Sequence, residues 1–72
     1  MPKKPYFVVA LFEDGRWINE FGDYDQAVAK QEADDQRYSR NLRRKEVRVI
    51  RCCDDQYSID CAIRLMNDEV AA

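Results

Sequence analysis

Histidine is absent from the 72 residues. That removes the usual general base near neutral pH, the Ser-His and Cys-His nucleophile pairs, and every zinc site that uses imidazole. Glycine occurs only as Gly15 and Gly22, too few and too far apart for a phosphate-cradling loop. Proline is equally scarce, and neither repeats nor low-complexity stretches occur. With 36% charged and 46% hydrophobic residues, the chain has the composition of one small folded domain over 1–72 and not of a disordered linker. The longest uncharged run, Pro5 to Phe12, is far too short to cross a bilayer, and no cleavable signal pattern opens the chain. Three cysteines, Cys52, Cys53 and Cys61, cannot pair completely. They read as free thiols in a reducing compartment, so a cytoplasmic location without membrane association is expected.

What remains for chemistry is carboxylates and thiols. Asp34-Asp35 and Asp54-Asp55 are adjacent pairs in polar surroundings, with nothing to set two of them across a cleft with separated pKa values, so they read as solvated surface or turn residues. Neighbours in a strand point to opposite faces, which makes Cys52 and Cys53 awkward partners in a three-cysteine metal site. The expectation is a protein that is not an enzyme, with no catalytic residue, cofactor or metal.

Tyr6 to Phe21 carries the clearest structural signal. Two apolar runs flank Asp14-Gly15, a dipeptide suited to the two positive φ angles of a type I′ hairpin turn. The implied register sets Glu13 opposite Arg16, Phe12 opposite Trp17, Leu11 opposite Ile18, Ala10 opposite Asn19, Val9 opposite Glu20 and Val8 opposite Phe21. Alternation puts Tyr6, Val8, Ala10, Phe12, Trp17 and Phe21 on one face and Phe7, Val9, Leu11 and Ile18 on the other. Both faces are apolar, so both need cover.

Residues 1–5 read as a mobile polar lead-in, because Pro5 lacks the N–H a central strand needs. After Gly22, Asp23 stands where an N-cap is expected, with Gln26 completing a capping box, so a first helix begins near Tyr24. Its apolar side is Tyr24, Ala27, Val28, Gln31, Tyr38 and Leu42, a thin stripe, and its end is expected to fray over 39–42. Lys45 to Cys53 has the β-branched content of a third strand pairing with the hairpin, with Val47 and Val49 on one face and Ile50 and Cys52 on the other. The segment 57–70 fits both a strand, through Tyr57, Ile59, Cys61, Ile63 and Leu65, and a helix, through Ile59, Ala62, Ile63, Met66 and Val70. Ser58 as cap and the polar set Asp60, Arg64, Asn67 and Asp68 opposite that stripe favour the helix. The result is an α+β fold in the order ββαβα, with a helix on each sheet face. Helix one is so poor in large apolar groups that some aromatic surface stays open for a target or a second copy, so a homodimer is compatible.

Charge is segregated along the chain. Residues 13–35 carry eight acids against two bases, residues 36–53 one acid against seven bases, and residues 54–72 five acids against one base. The basic block is Arg37, Arg40, Arg43, Arg44, Lys45, Arg48 and Arg51, dominated by the residue best suited to bidentate contacts with carboxylate or phosphate. Three readings compete: internal pairing with the acidic blocks, contact with a protein, and contact with nucleic acid. The net charge of −2 and pI near 5.0 weigh against the last. Trp17, beside Phe12 and Arg16, is the candidate interface anchor, although a cross-strand aromatic pair is more often core.

The order strand, Asp-Gly turn, strand, capped helix, basic strand over residues 6–53 resembles small phage-encoded proteins that inhibit or redirect host machinery, such as inhibitors of bacterial RNA polymerase and anti-CRISPR proteins. What the resemblance implies is a stoichiometric binder of a host nucleic-acid-processing complex. The expected activity is therefore protein binding through Arg37, Arg40, Arg43, Arg44, Arg48, Arg51 and Trp17. The alternative is a small nucleic-acid-binding protein using the same arginines.

Overall fold

The computed structural model describes residues 5–71, and the side chains of residues 5–70. The expected mobile lead-in thus lies outside the described residues, apart from the exposed Pro5. Two strands, β1 (Tyr6–Glu13) and β2 (Arg16–Asp23), precede helix α1 (Gln26–Ser39). A 3-10 turn (Arg44–Glu46), strand β3 (Val47–Cys52) and helix α2 (Gln56–Ala71) follow. The sheet is antiparallel in the order β2-β1-β3, the ββαβα arrangement expected.

Asp14 and Gly15 take φ values of 53° and 80°, as a type I′ turn requires. The register holds from Glu13↔Arg16 to Ala10↔Asn19 and then slips, because a bulge sets Val9 opposite Phe21, Val8 opposite Gly22 and Phe7 opposite Asp23. Glu20 is the extra residue. The slip corrects two expected pairs, Val9 with Glu20 and Val8 with Phe21, and turns Phe21 to the face of Val9. Gly22 now lies where the Tyr6 ring folds down, and a Cβ there would come within 2.3 Å of the Tyr6 hydroxyl.

Because the bulge carries β2 on to Asp23, the first helix starts two residues later than expected. Asp25, extended at φ −95° and ψ 117°, is its N-cap and accepts from the Ala27 N–H at 2.9 Å. Asp23 accepts instead from the N–H of Asp25 at 2.7 Å. The other end does not fray. Asn41 adopts a left-handed φ of 54° and the Leu42 N–H returns to the Arg37 carbonyl at 2.9 Å, a Schellman closure that folds Leu42 back onto the sheet.

The buried side of α1 is also not the expected one. Ala29 and Ala33 face Val9 and Leu11, with Phe7, Ile18, Phe21, Leu42, Val47 and Val49 around them, while Tyr24, Val28 and Tyr38 point outward, Tyr38 being 90% exposed. The sheet supplies the large side chains on this face, so the helix presents small ones and lies close. On the opposite face α2 contributes Ile59, Ile63 and Met66, with Met66 against Ala10 and Trp17 beside Phe12 and Ile50. The helical stripe therefore ends at Met66, and Val70 is exposed. Asp55, not Ser58, occupies the capping position of α2, its carboxylate accepting from both the N–H and the hydroxyl of Ser58. Among the described residues no helix is long and apolar enough to cross a membrane.

Candidate functional site

The seven basic residues of the 37–51 segment do not form one patch. Arg40 reaches Glu13 and, at 3.1 Å, Glu20, while its Nε donates to Gln36 at 2.9 Å. The bulge that adds Glu20 to β2 thus joins the hairpin to the end of α1 through one guanidinium. For Arg40 the internal pairing reading is correct.

The remaining cations are arranged otherwise. Arg43, Arg44, Lys45, Arg48 and Arg51 are exposed, and Arg37 is half-buried. Between described residues, the ion pairs are those of Arg40. Several nearby acids are engaged by other groups, although the exposed Asp34 lines a cleft with Arg37 and Arg44. Glu46, the single acid of the basic block, folds back to the Arg43 backbone N–H at 2.9 Å. Asp23, Asp25 and Asp55 accept from backbone N–H groups at helix starts, and Asp54 accepts from the Tyr24 hydroxyl at 2.8 Å, which pushes the Tyr24 pKa up. Asp23, Asp25, Glu46, Asp54 and Asp55 are thereby held by caps and a phenol.

Two clefts flank the unpaired cations. On the α2 side of the sheet, Phe12, Trp17, Arg43, Lys45 and Glu46 line a cleft of about 470 Å³. Phe12 and Trp17 meet edge to face at 5.2 Å, and the Arg48 guanidinium lies over the indole at 5.1 Å. Arg48 can cross to Trp17 because Ala10 stands between them, opposite Arg48 on β1. Trp17 itself is only 5% exposed; it is core, and a partner at this point meets Phe12 and the cations around it. On the α1 side, a smaller cleft of about 180 Å³ is floored by Val47 and Val49 and rimmed by Ala33, Asp34, Arg37 and Arg44.

The two outer edges of the sheet differ. In a two-residue hairpin Glu13 and Arg16 exchange hydrogen bonds, so Trp17 turns its N–H and carbonyl away from β1. Asn67 of α2 meets both, accepting from the N–H at 2.6 Å and donating to the carbonyl at 3.1 Å. This contact corrects the expectation that Asn67 faces solvent. Continuing the same alternation across β1 gives Arg48, Ile50 and Cys52 the inward bonds, and leaves Val47, Val49 and Arg51 with outward backbone groups. The Val47 N–H is taken by the Arg44 carbonyl of the 3-10 turn, so the outward groups still open among the described residues are the Val47 carbonyl and the N–H and carbonyl of Val49 and Arg51.

The thiols are half-buried and free. Burial raises the Cys52 pKa, and a hydrogen bond with Cys61 raises that of Tyr57. Comparison with protein-family models, with curated proteins and with solved structures gives no match for this chain.

Proposed function

We propose that the chain is a non-enzymatic protein-interaction module that engages an acidic surface of a partner protein through Arg43, Arg44, Lys45, Arg48 and Arg51. The observation that carries this reading is that these cations are exposed without a carboxylate partner among the described residues, while Asp25, Glu46, Asp54 and Asp55 nearby are held by caps and by Tyr24. An unpaired guanidinium over an aromatic ring, beside a half-buried Phe12, is the kind of group that fixes register in a protein interface. The resemblance to phage-encoded modulators suggests a host nucleic-acid-processing complex as the partner, such as RNA polymerase or a CRISPR effector, and regulation of it as the consequence.

Nucleic acid is the second reading, supported by the same cations and opposed by the acids that flank them. Asp34 and Asp35 on α1 and Asp60, Asp68 and Glu69 on α2 are exposed, and their charge opposes the approach of phosphates. One experiment separates the two. Affinity capture from a lysate of the source organism, with nuclease, compares wild type with an Arg43→Glu/Arg44→Glu/Arg48→Glu variant at low and moderate salt. A defined complex that survives nuclease and is lost in the variant supports protein binding. Capture that disappears with nuclease and falls steeply with salt moves the reading to nucleic acid.

A further inference from the structure

We propose that the open edge of β3 accepts an extended acidic segment of a partner protein as a fourth strand, paired to the Val47 carbonyl and to the outward N–H and carbonyl groups of Val49 and Arg51. The inference deepens the protein-binding reading and rests on it.

The two edges of the sheet are treated differently by the fold. β2 is bulged at Glu20 and closed at Trp17 by the Asn67 amide, two devices that prevent another strand from pairing there. β3 has neither: its six residues pair with β1 in unbroken register. Apart from the Val47 N–H, which the Arg44 carbonyl holds, their outer N–H and carbonyl groups form a short template of strand spacing.

The surroundings specify what would pair. A fourth strand would set alternate side chains over the cleft floored by Val47 and Val49, so apolar residues fit that side, with Arg37, Arg44 and the single acid Asp34 at its rim. The intervening side chains would lie on the α2 side, level with Arg48. Arg51 and Lys45 extend the positive field to both ends of the edge. The segment that satisfies both rows alternates small apolar residues with glutamate or aspartate. A second copy of this chain does not, because pairing β3 with its own copy brings the same cations together without compensating acids. The competing reading is that cations on an edge strand exist to repel any incoming strand.

A capped seven-residue peptide alternating glutamate and valine, fluorescently labelled, serves as the probe, with two controls. One has N-methyl groups on alternate amides; the other has lysine for glutamate. Titration against ¹⁵N-labelled wild-type protein is expected to give binding and to move the amide signals of Val49 and Arg51. N-methylation is expected to weaken binding by about tenfold or more, since it removes backbone hydrogen bonds of about 1 kcal/mol each, and the lysine peptide is expected not to bind. Val49→Pro, which deletes an outward N–H and leaves the bonds to β1 in place, is expected to weaken the glutamate peptide to a similar degree. Circular dichroism checks that this variant folds; if it does not, the N-methylated peptide on wild type decides the matter.

Equal affinity for the N-methylated peptide, or no binding by wild type at millimolar peptide, overturns strand addition, as does a concentration-dependent dimer of the free protein seen by ultracentrifugation. Loss of lysate capture in the arginine variant together with its retention in Val49→Pro would leave protein binding standing and remove only the strand-addition mode. If neither variant alters capture, the protein-binding assignment of the belt fails as well.

Discussion

The Asn67 side-chain amide binds the Trp17 backbone at both its N–H and its carbonyl, in the way a neighbouring strand would. The contact spans 50 positions of sequence. It ties the C-terminal half of α2 to the edge of β2 beside the turn, and it holds in place the backbone whose indole carries Arg48.

Asn67→Ala leaves two part-buried backbone groups of Trp17 without their partner, and a loss of about 1–3 kcal/mol is expected in denaturant unfolding. Asn67→Asp keeps the acceptor and loses the donor, so its loss is expected to lie between wild type and Asn67→Ala near neutral pH. An unchanged midpoint in Asn67→Ala would show that water replaces the amide without cost.

Arg40 and the belt arginines are expected to separate in their effects. Arg40→Ala removes the pairs with Glu13 and Glu20, all three side chains being about a third exposed, so a stability loss of about 0–1 kcal/mol is expected after solvent screening. Capture of the protein partner is expected to persist in Arg40→Ala. Arg44→Glu is expected to reverse this pattern, with stability near wild type and capture lost; thermal unfolding and capture on both variants check it.

Gly22→Ala places a methyl group against the Tyr6 ring, with contacts of 2.3 to 2.6 Å. The ring must leave its edge-to-face contact with Tyr24 at 5.0 Å, and Tyr24 in turn is hydrogen-bonded to Asp54. A destabilisation of about 1–3 kcal/mol is expected from overpacking. The companion change Tyr6→Ala in the Gly22→Ala background should be non-additive, recovering the part of the loss due to the clash. Strict additivity of the two would mean that no such clash exists.

Raised acid pKa values give a definite direction with pH. The Tyr24 phenol is held protonated mainly by its hydrogen bond to the Asp54 carboxylate, and the Cys52 thiol mainly by burial. For both, the folded value lies above the unfolded one, so their contribution is complete below the unfolded pKa and is lost as pH rises through the folded one. Stability is therefore expected to fall on the alkaline side, and Asp54→Asn should lessen the part due to Tyr24. Cys52 should react with a thiol reagent more slowly than an unstructured cysteine near pH 8, because less of it is thiolate. Mass spectrometry of partially labelled protein reads that difference directly.

The local signals in the chain determined the element order. Asp14-Gly15 supplies a turn geometry that few dipeptides adopt, and the alternation from Tyr6 to Phe12 sorts side chains between faces whatever lies beyond. Lys45 to Cys53 reads as a strand with the right faces for the same reason, although Lys45 and Glu46 belong to the 3-10 turn and β3 runs Val47–Cys52. In 57–70 the spacing of Ile59, Ala62, Ile63 and Met66 marks a helix, because Tyr57 and Leu65, which the strand reading would bury, are exposed. The basic block was equally visible, being a property of composition.

Tertiary structure decided what depends on groups far apart in sequence. The bulge at Glu20 turned Phe21 over and delayed α1 to Gln26, since register answers to packing on both faces at once. The buried side of α1 became Ala29 and Ala33 because volume already present on the sheet, and not the helix's own stripe, sets how close a helix can lie. Asn67 was unreadable as an edge clamp, since nothing local to an asparagine on a polar helix side announces a strand 50 residues away. The division of the arginines followed in the same way. A charge count cannot distinguish an acid that pairs with a guanidinium, as Glu13 and Glu20 do with Arg40, from one already held by a backbone N–H, as Asp25 and Glu46 are; only geometry separates the two.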